Sequence, residues 1–509
     1  MKSNLPAGWE SSTLATVASI VRGIAFPAKD KAYNPSPDHI ACLRTANVQK
    51  KVRWDDLWFI PKSYVRDEKQ VVCTGDILIS LANSYELVGK VSQVQDIPTP
   101  STLGAFISLI RAKGEIDKSY LYYYLNSNEV QSAIRKLAST TVNISNVSVG
   151  KISDLKVLLP PLAEQHRIVA QLEATMQKLE ASQERLEKLP VLLKKFRQAV
   201  LAAAVSGKLT EAWRAEQPQV ETGAKLLNRI QKERREWAIQ EARKGNLEAS
   251  RFYKKAEAQS ATTTEDGLPE GWAKASLLKV CQLVVDCHNK TAPYISEGIP
   301  LVRTTNIKNG RLLLDSVKYV SPETYKFWSR RCPPQPGDIL FTREAPMGES
   351  AIIPPDTTLC MGQRMMLLRF FKGLSEVQFF GYVIQSPSFL SQLGENAVGT
   401  GVLHLRVGDV EALQVPVPPL AEQQEIARQV NHYFELADQL EARFEQAAAL
   451  VEQLPQALLA KAFSGQLVLQ DPNDEPASAL LERLEAETTT SPNGKRRNPK
   501  VASGAPLFE

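Results

Sequence analysis

The chain has 509 residues, 43% of them hydrophobic and 23% charged, the composition of an ordinary globular protein with two or more domains. Its formal net charge of +5 is compatible with nucleic-acid binding without establishing it. There is no secretory signal, no run of about 18 apolar residues and no CxxC pair among the six cysteines, so we expect a cytoplasmic protein with reduced thiols and no membrane partner.

The order of motifs along the chain reveals an internal duplication. LPAGW at Leu5 returns as LPEGW at Leu268, and LRTANV at Leu43 returns as VRTTNI at Val302. The later motifs repeat in the same order: GDIL at Gly75 and Gly337, PPLAEQ at Pro160 and Pro418, and the ends RQAVLAAAVSGKL at Arg197 and PQALLAKAFSGQL at Pro455. The period far exceeds the roughly 20–50 residues of a solenoid repeat and predicts a duplicated domain pair.

Each copy opens with short strand-like runs such as DILIS and AFISLIRA, separated by Gly, Pro and Asn turns. This pattern predicts a mixed α/β (α+β) globular domain, followed after each Pro-Pro pair by a long helix. The predicted divisions are a first globular domain at 1–159, a first spacer helix region at 160–210, a basic helix and linker at 211–267, a second globular domain at 268–417, a second spacer helix region at 418–468, and a C-terminal helix with a flexible basic tail at 469–509.

Both helix regions carry an apolar seam with heptad spacing, so we expect them to pair as an antiparallel coiled coil with a pseudo-two-fold relation. The alternative is an amphipathic helix that packs on its own domain. The predicted seam residues are Ile168, Leu172, Leu179 and Leu186 in the first copy and Ile426, Val430, Tyr433, Leu440 and Phe444 in the second. The stretch from Gln165 to Pro190 would be on the order of 40 Å long, comparable with a B-DNA turn of about 34–36 Å.

Motifs for catalysis are missing from the sequence. It contains no GxxxxGK[ST] phosphate loop and no methyl-donor motif. Cys281, Cys287 and His288 lack a further ligand at metal-binding spacing, so we predict no metal site. Asp38, Asp67 and Lys69 could be assembled into a nuclease centre, but the second copy has no counterpart. We therefore predict no catalytic residue.

The ordered set of duplicated motifs resembles the specificity subunits of type I restriction-modification enzymes, over nearly the whole chain. The resemblance implies that the two globular domains are target-recognition domains, each reading one half of a bipartite, asymmetric sequence in double-stranded DNA. It also implies that the helices set the unread spacer and dock two methyltransferase subunits, while two translocase/endonuclease subunits complete the complex. S-adenosylmethionine, ATP and Mg²⁺ would belong to those partners, with no cofactor bound by this chain.

On this resemblance, PPLAEQ marks a docking surface that both copies share, whereas base-reading residues should differ between copies. Base readout in the major groove uses Arg or Lys for guanine and Asn or Gln for adenine. Residues present in both copies are expected to have a positional role, as phosphate contacts, loop braces or partners in a salt bridge inside the domain. These shared candidates are Arg44, Asn47, Arg303 and Asn306.

The remaining DNA-binding candidates lie where the copies diverge. They are Ser80, Asn83, Ser84, Thr140, Asn143, Asn146 and Lys151 in the first copy, and Thr342, Arg343, Thr400, His404 and Arg406 in the second. The basic helix RIQKERREW and the tail residues Lys495, Arg496 and Arg497 could add phosphate contacts, although such runs are commonly solvated faces. Two other functions stay open, a standalone nuclease and a coiled-coil scaffold without a DNA role.

Overall fold

The structure is a computed structural model that describes residues 5–141, 144–217, 220–259, 267–288, 290–398 and 403–490. It divides into two compact units. Unit one comprises residues 1–186 and 446–509, and unit two comprises residues 187–445. The C-terminal part of the chain therefore folds with the first globular domain, an association that a linear division of the sequence does not reveal.

Unit one contains four small sheets and the short helices between them. Its strands are β1 (Glu10–Thr13), β2 (Ala18–Arg22), β3 (His39–Leu43), β4 (Trp58–Pro61), β5 (Ile77–Ser80), β6 (Ala82–Asn83), β7 (Val91–Gln93), β8 (Ser101–Leu103), β9 (Ile107–Ala112), β10 (Ser139–Thr141), β11 (Ile144–Asn146) and β12 (Lys156–Leu159). Its short helices are α1 (Leu14–Val17), α2 (Lys118–Leu125), α3 (Asn128–Leu137) and α4 (Val149–Ser153). The long helix α5 (Leu162–Val205) begins in unit one.

The central sheet of unit one is antiparallel with strand order β2-β9-β5-β7, and a second sheet has the order β4-β3-β8 with β3 and β8 parallel. Strands β10, β11 and β6 form a third sheet. In the fourth sheet, β1 pairs with β12 so that Glu10 lies opposite Leu159. This pairing brings the two ends of the first globular domain together just before α5 begins.

Unit two repeats this layout. Its helices are α6 (Glu211–Ala215), α7 (Gly223–Arg243), α8 (Leu247–Ala258), α9 (Leu277–Val280), α10 (Pro322–Trp328), α11 (Val377–Gln385), α12 (Pro387–Asn396) and α13 (Val407–Ala412). Its strands are β13 (Ala273–Ser276), β14 (Cys281–Asp286), β15 (Ile299–Val302), β16 (Ile307–Lys308), β17 (Arg311–Leu312), β18 (Lys318–Val320), β19 (Ile339–Arg343), β20 (Met347–Ile352), β21 (Cys360–Met361), β22 (Met365–Phe370) and β23 (Gln414–Val417). The central order β14-β22-β19-β20 and the closing pair β13-β23 match the first domain.

The second long helix, α14 (Leu420–Phe463), begins in unit two, and the final helix α15 (Ala477–Thr490) belongs to unit one. Each core contains a helix from outside its globular domain. Leu480 and Leu484 of α15 are buried in the core of unit one, and Leu226 and Ile230 of α7 are buried in that of unit two. Within the described ranges, no helix has both the length and the apolarity needed to cross a membrane.

The long helices pair in antiparallel directions, as the sequence predicts. Within unit two, the rings of Phe196 and Tyr433 lie 6.2 Å apart at their centroids. Arg197 donates to Asp438 at 2.5 Å and to Glu441 at 2.9 Å. The start of α5 shares the core of unit one with the end of α14, and the end of α5 shares the core of unit two with the start of α14. Helix α5 continues through Pro190 to Val205.

Burial along the helices departs from a continuous seam. The seam positions nearest the helix starts, Ile168, Leu172, Ile426 and Val430, are fully buried in the cores of their own units, which is the packing expected of an amphipathic helix on its domain. Leu179, Leu186 and Phe444 are half-buried. Leu440 is 50% exposed, so its assignment to the seam is wrong. The helix-pair contact therefore combines apolar packing with the ion pairs of Arg197.

Candidate nucleic-acid interface

The R-T-x-N motif forms a short turn at the end of β3 and of β15. Asn47 and Asn306 are 0% and 2% exposed. Their carboxamide oxygens accept the backbone N–H of Arg44 at 2.9 Å and of Arg303 at 3.0 Å, and their amide nitrogens donate to carbonyls of the following loop at 2.8 and 3.3 Å. The two asparagines brace the loop, so their assignment as DNA contacts is corrected.

The two arginines of this turn have different surroundings. Arg44 pairs with the carboxylate of Asp56, and its guanidinium lies 4.7 Å from the ring centre of Trp58. Its side chain is 27% exposed, so the alternative of a salt bridge inside the domain describes it best. The Nε of Arg303 is buried and has no hydrogen-bond partner among the described residues. A DNA contact by Arg303 stays a prediction.

The GDIL motif forms the same turn and ion pair in both domains. Its glycine has a φ of +90° in the first copy and +88° in the second, which favours glycine at that position. Asp76 accepts from Arg111 at 2.8 and 2.7 Å, and Asp338 accepts from Arg369 at the same two distances. Both aspartates are 2% exposed. Each aspartate also accepts a backbone N–H of the residue three positions earlier, so it braces the turn before the strand.

We expect Asp338→Asn to destabilise unit two by about 3–5 kcal/mol, because it removes the charge that compensates Arg369 in a bidentate buried pair. Urea unfolding followed by tryptophan fluorescence measures the change. The matched control is Asp315→Asn, an exposed aspartate of the same unit, for which we expect a change below about 0.5 kcal/mol. Equal midpoints for the two variants would contradict the structural role of the pair.

In the first domain, the structure brings together two candidate segments that are far apart in sequence. Strand β6 follows the GDIL strand and pairs with β11, so that Asn83 lies opposite Ser145, and Ala82 opposite Asn146. Thr140 on β10 is exposed, and its hydroxyl lies 2.9 Å from that of Ser145. Candidates around Ser80–Ser84 and Thr140–Asn146 therefore form one surface, which we call the first reading surface.

The individual candidates on this surface differ in accessibility. Ser80 is 1% exposed and accepts from Asn83 at 3.3 Å, so its assignment as a DNA contact is wrong. Asn83 and Ser84 are half-buried and joined by a 2.9 Å hydrogen bond within the turn. Asn146 is exposed. Lys151 is exposed as well, and its Nζ donates to the carbonyl of Leu137 at 2.9 Å.

The second domain brings the equivalent segments together. Arg343 is the last residue of the second GDIL strand, and its Nη1 donates to the carbonyl of Leu405 at 3.0 Å. The next residue, Glu344, forms a β-bridge with His404. Arg406 is exposed and precedes α13. We call this cluster the second reading surface.

Thr342 is excluded from the second reading surface. Its side chain is 0% exposed, donates to the carbonyl of Pro346 at 2.6 Å and accepts from the backbone of Glu349 at 3.0 Å. Its assignment as a DNA contact is wrong because every polar function of the hydroxyl is used inside the domain. Asn143 and Thr400 lie outside the described residues, as do Lys495, Arg496 and Arg497 of the tail.

The repeated PPLAEQ segment is a buried junction between each domain and its long helix. Glu164 accepts from the indole of Trp9 at 3.0 Å, and Glu422 accepts from that of Trp272 at 2.8 Å. Both glutamates are 1% exposed and the following glutamines 0%. The tryptophans belong to the LPxGW motif, so two distant repeats meet in one contact. The interpretation of PPLAEQ as a docking surface is therefore wrong.

A second contact joins each domain to its long helix at equivalent positions. Lys50, in the loop after the R-T-x-N turn, pairs with Glu180 of α5 at 2.8 Å. Arg311, in the corresponding hairpin of unit two, pairs with Asp438 of α14 at 2.7 Å. Glu180 and Asp438 occupy the same position relative to their PPLAEQ motifs. Each reading domain is thus attached to its helix at two points.

Comparison with known proteins agrees with this duplicated arrangement. The family described as the type I restriction modification DNA specificity domain matches residues 6–191 and 269–448, one stretch for each copy. Together these stretches cover most of the chain. The chain belongs to this family.

Members of this family match this chain along almost its full length. The EcoKI specificity subunit of Escherichia coli is 28% identical over 97% of this chain and 98% of its own. The StySPI specificity subunit of Salmonella potsdam is 27% identical over 98% of this chain and 100% of its own. Both are type I restriction enzyme specificity subunits.

Two solved structures share the fold. A chain from a structural study of complex assembly and conformational transition in the type I R-M system has a TM-score of 0.59 at 18% identity and covers 91% of this chain and 100% of its own. The HsdS subunit from Thermoanaerobacter tengcongensis has a TM-score of 0.57 at 18% identity, with 92% and 99% coverage.

The basic run RIQKERREW lies in α7, and it is not solvent-exposed along its whole length. Arg234 is 2% exposed and donates to the carbonyls of Lys279 and Cys281 at 2.6 and 2.7 Å. Burial lowers the pKa of Arg234 to about 10. The run RIQKERREW therefore contains a structural arginine that sequence alone assigned to solvent or phosphate.

Two residues of the nuclease alternative, Asp67 and Lys69, lie in one short turn. Asp67 accepts from the backbone N–H of Lys69 at 2.9 Å, which caps a short turn. Among the described residues, no group of three or more His, Cys, Asp or Glu side chains is placed to hold a metal ion.

From the sequence alone, we did not predict which residues contact the repeated motifs. The tryptophan of LPxGW and the glutamate of PPLAEQ were each recognised as repeated, but their contact was not predicted. A signal existed, because two motifs that repeat together at every domain are candidates for a shared contact. The partners Arg111 and Arg369 carried the same signal, since each lies four residues after the start of a buried strand.

Proposed function

We propose that this chain is the sequence-specific DNA-binding specificity subunit of a type I restriction-modification complex. The observation that carries the proposal is the contrast between the two copies. Their turns and buried ion pairs are the same, and the same tryptophan–glutamate contact joins each domain to its helix, whereas residues on the first and second reading surfaces differ. Membership of a DNA specificity family supports the same conclusion. Two different surfaces on one framework would read two different half-sites.

The chemistry would then belong to the other subunits. On this proposal the chain is non-catalytic and works in the cytoplasm with double-stranded DNA, two methyltransferase subunits and two translocase/endonuclease subunits. S-adenosylmethionine, ATP and Mg²⁺ serve those partners, and this chain binds no cofactor. Its long helices set the unread spacer. Since PPLAEQ is buried, exposed helix positions such as Val191, Leu192 and Leu436 are the better candidates for methyltransferase docking.

The test is to co-express the chain with a methyltransferase subunit from the same system and map adenine methylation across a genome by single-molecule sequencing. We expect a bipartite, non-palindromic motif with a fixed unread gap. A chain carrying both Arg343→Ala and Arg406→Ala provides the comparison, with the second half-site weakened and the first kept. Absence of any motif from an intact complex would refute the proposal and favour a scaffold, and Mg²⁺-dependent DNA cutting by the chain alone would favour the nuclease.

A further inference from the structure

The central sheets of the two domains match at the level of single hydrogen bonds. The backbone N–H of Leu81 donates to the carbonyl of Phe106 at 2.9 Å, and that of Arg343 donates to the carbonyl of Arg364 at 2.9 Å. Leu81 and Arg343 hold the same place relative to the two GDIL motifs. Phe106 and Arg364 therefore occupy equivalent positions, because Phe106 immediately precedes β9 and Arg364 immediately precedes β22.

Neighbouring positions match in the same way. The backbone N–H that follows Arg22 donates to the carbonyl of residue 107 at 3.2 Å, and the one that follows Asp286 donates to that of residue 365 at 3.0 Å. Asn146 bridges Ala82 in the first domain, where His404 bridges Glu344 in the second. At each of these positions, a residue of the first domain therefore has a counterpart in the second domain.

The side chains at these matched positions contrast with those of the framework, by which we mean the GDIL and R-T-x-N turns that both domains share. Framework positions carry the same residue in both copies, including the Asp-Arg pair of each GDIL turn and the buried asparagine of each R-T-x-N turn. Two of the matched pairs differ in the chemical class of their side chains. Phe106 corresponds to Arg364, and Arg22 to Asp286. Different side chains at equivalent positions of a shared framework are what two readers of different half-sites require.

The accessibility of the two residues fits contact with an external partner. Phe106 is 66% exposed, and together with Arg22, Leu81 and Asn146 it lines an open depression of about 340 Å³. The side chain of Arg364 is 52% exposed and pairs with Glu344 at 3.1 Å. An exposed ion pair of this kind contributes little to stability, so the guanidinium is free to exchange its carboxylate for another acceptor.

We infer that Phe106 and Arg364 are base-contacting, specificity-determining residues of the first and second domains. Apolar side chains recognise the thymine methyl group in the major groove, whereas arginine recognises the N7 and O6 acceptors of guanine. Phe106 therefore contacts a thymine of the first half-site, and Arg364 contacts a guanine of the second. The inference rests on the proposed function and adds residues that sequence comparison of the loops had not nominated.

The experiment uses the full chain assembled with its methyltransferase subunit, with Phe106→Ala and Arg364→Ala made separately. Methylation mapping is expected to show about tenfold or greater loss of discrimination at one base pair, in the first half-site for Phe106→Ala and in the second for Arg364→Ala. Phe106→Leu, which keeps an apolar contact, should retain the thymine preference. The matched controls are Tyr33→Ala, which removes an aromatic side chain that is 67% exposed, and Arg330→Ala, which removes an exposed arginine.

The outcomes separate this inference from the proposed function. If the wild-type complex gives a bipartite motif but both variants keep it with unchanged base preference, the inference is overturned and the proposed function stands. A uniform fall in methylation at all sites, without a change at any single base, would identify phosphate contacts and also overturn it. If the intact wild-type complex gives no motif, the proposed function fails and the inference falls with it. Circular dichroism and partner retention exclude misfolding of either variant.

Discussion

Glu422→Gln is expected to destabilise unit two by about 3 kcal/mol, whereas the equivalent change Glu164→Gln should alter unit one by less than about 1 kcal/mol. Glu422 is 1% exposed and uses both oxygens. Its Oε2 accepts from Trp272 at 2.8 Å, while its Oε1 accepts from Thr210 at 2.8 Å and Arg214 at 3.0 Å. A carboxamide has one acceptor oxygen, so its NH₂ group would face a donor.

Glu164 has the same backbone position but fewer partners. Its Oε2 accepts from Trp9 at 3.0 Å, and its Oε1 is buried without a hydrogen-bond partner among the described residues. The nearby Arg167 donates to Asp474 at 3.2 Å through Nη1. A glutamine at position 164 can still accept from Trp9 through its oxygen, and it removes a buried charge that lacks a direct counter-ion. The loss of the carboxylate should therefore be nearly neutral.

Glu164→Gln should also change how the stability of unit one depends on pH. Burial raises the pKa of the Glu164 carboxyl above its ordinary value. The folded chain then holds this proton more tightly than the unfolded chain, so the stability linked to Glu164 falls as pH rises from the ordinary carboxyl pKa through the raised one. Glu164→Gln lacks this titration. Its stability relative to wild type should therefore increase over that interval and level off above it.

Hydrogen–deuterium exchange of the peptides that contain β1 and β12, and of those that contain β13 and β23, measures each unit separately. Urea unfolding between pH 4 and pH 8 gives the linked free energies. If Glu164→Gln destabilised unit one as strongly as Glu422→Gln destabilises unit two, the missing partner of Glu164 would not matter and the argument from hydrogen-bond count would be wrong.

The repeated motifs predicted the architecture because they mark positions where the backbone or a buried charge restricts the residue. A glycine with positive φ, an asparagine that closes a turn and an aspartate that pairs with arginine each tolerate few replacements. These positions gave the domain duplication, the strand–turn layout and the starts of the two long helices. The antiparallel pairing followed from the duplicated apolar spacing, although the seam proved less continuous than the heptad pattern suggested.

What the sequence could not give were contacts between segments far apart in the chain. The burial of Ser80 and Thr342 depends on neighbours from other strands, so polarity alone made them appear accessible. The same reason hid Phe106, an apolar residue whose exposure is visible only once β9 is placed beside β5. Strand pairing also joined the two candidate loops of each domain into one surface, and no local pattern contains that information.

Exchange of one complete reading domain is expected to change one half of the recognised sequence and leave the other half and the spacer unchanged. The structure defines where the exchange should begin and end. Glu10 pairs with Leu159 where β1 meets β12, so replacing residues 10–159 by the equivalent segment of a relative removes the first reading surface and keeps both Trp9 and Glu164. The buried junction that joins domain and helix is therefore retained.

The matched control is the reciprocal exchange of residues 273–417, bounded by the pairing of Ala273 with Val417 and preserving Trp272 and Glu422. Methylation mapping of the assembled complexes should then report a new first half-site in one chimera and a new second half-site in the other. The gap should stay constant in both, because neither exchange alters α5 or α14. If one exchange changed both half-sites or the gap, base reading would not be confined to the separate surfaces, and the long helices could not be what sets the spacer.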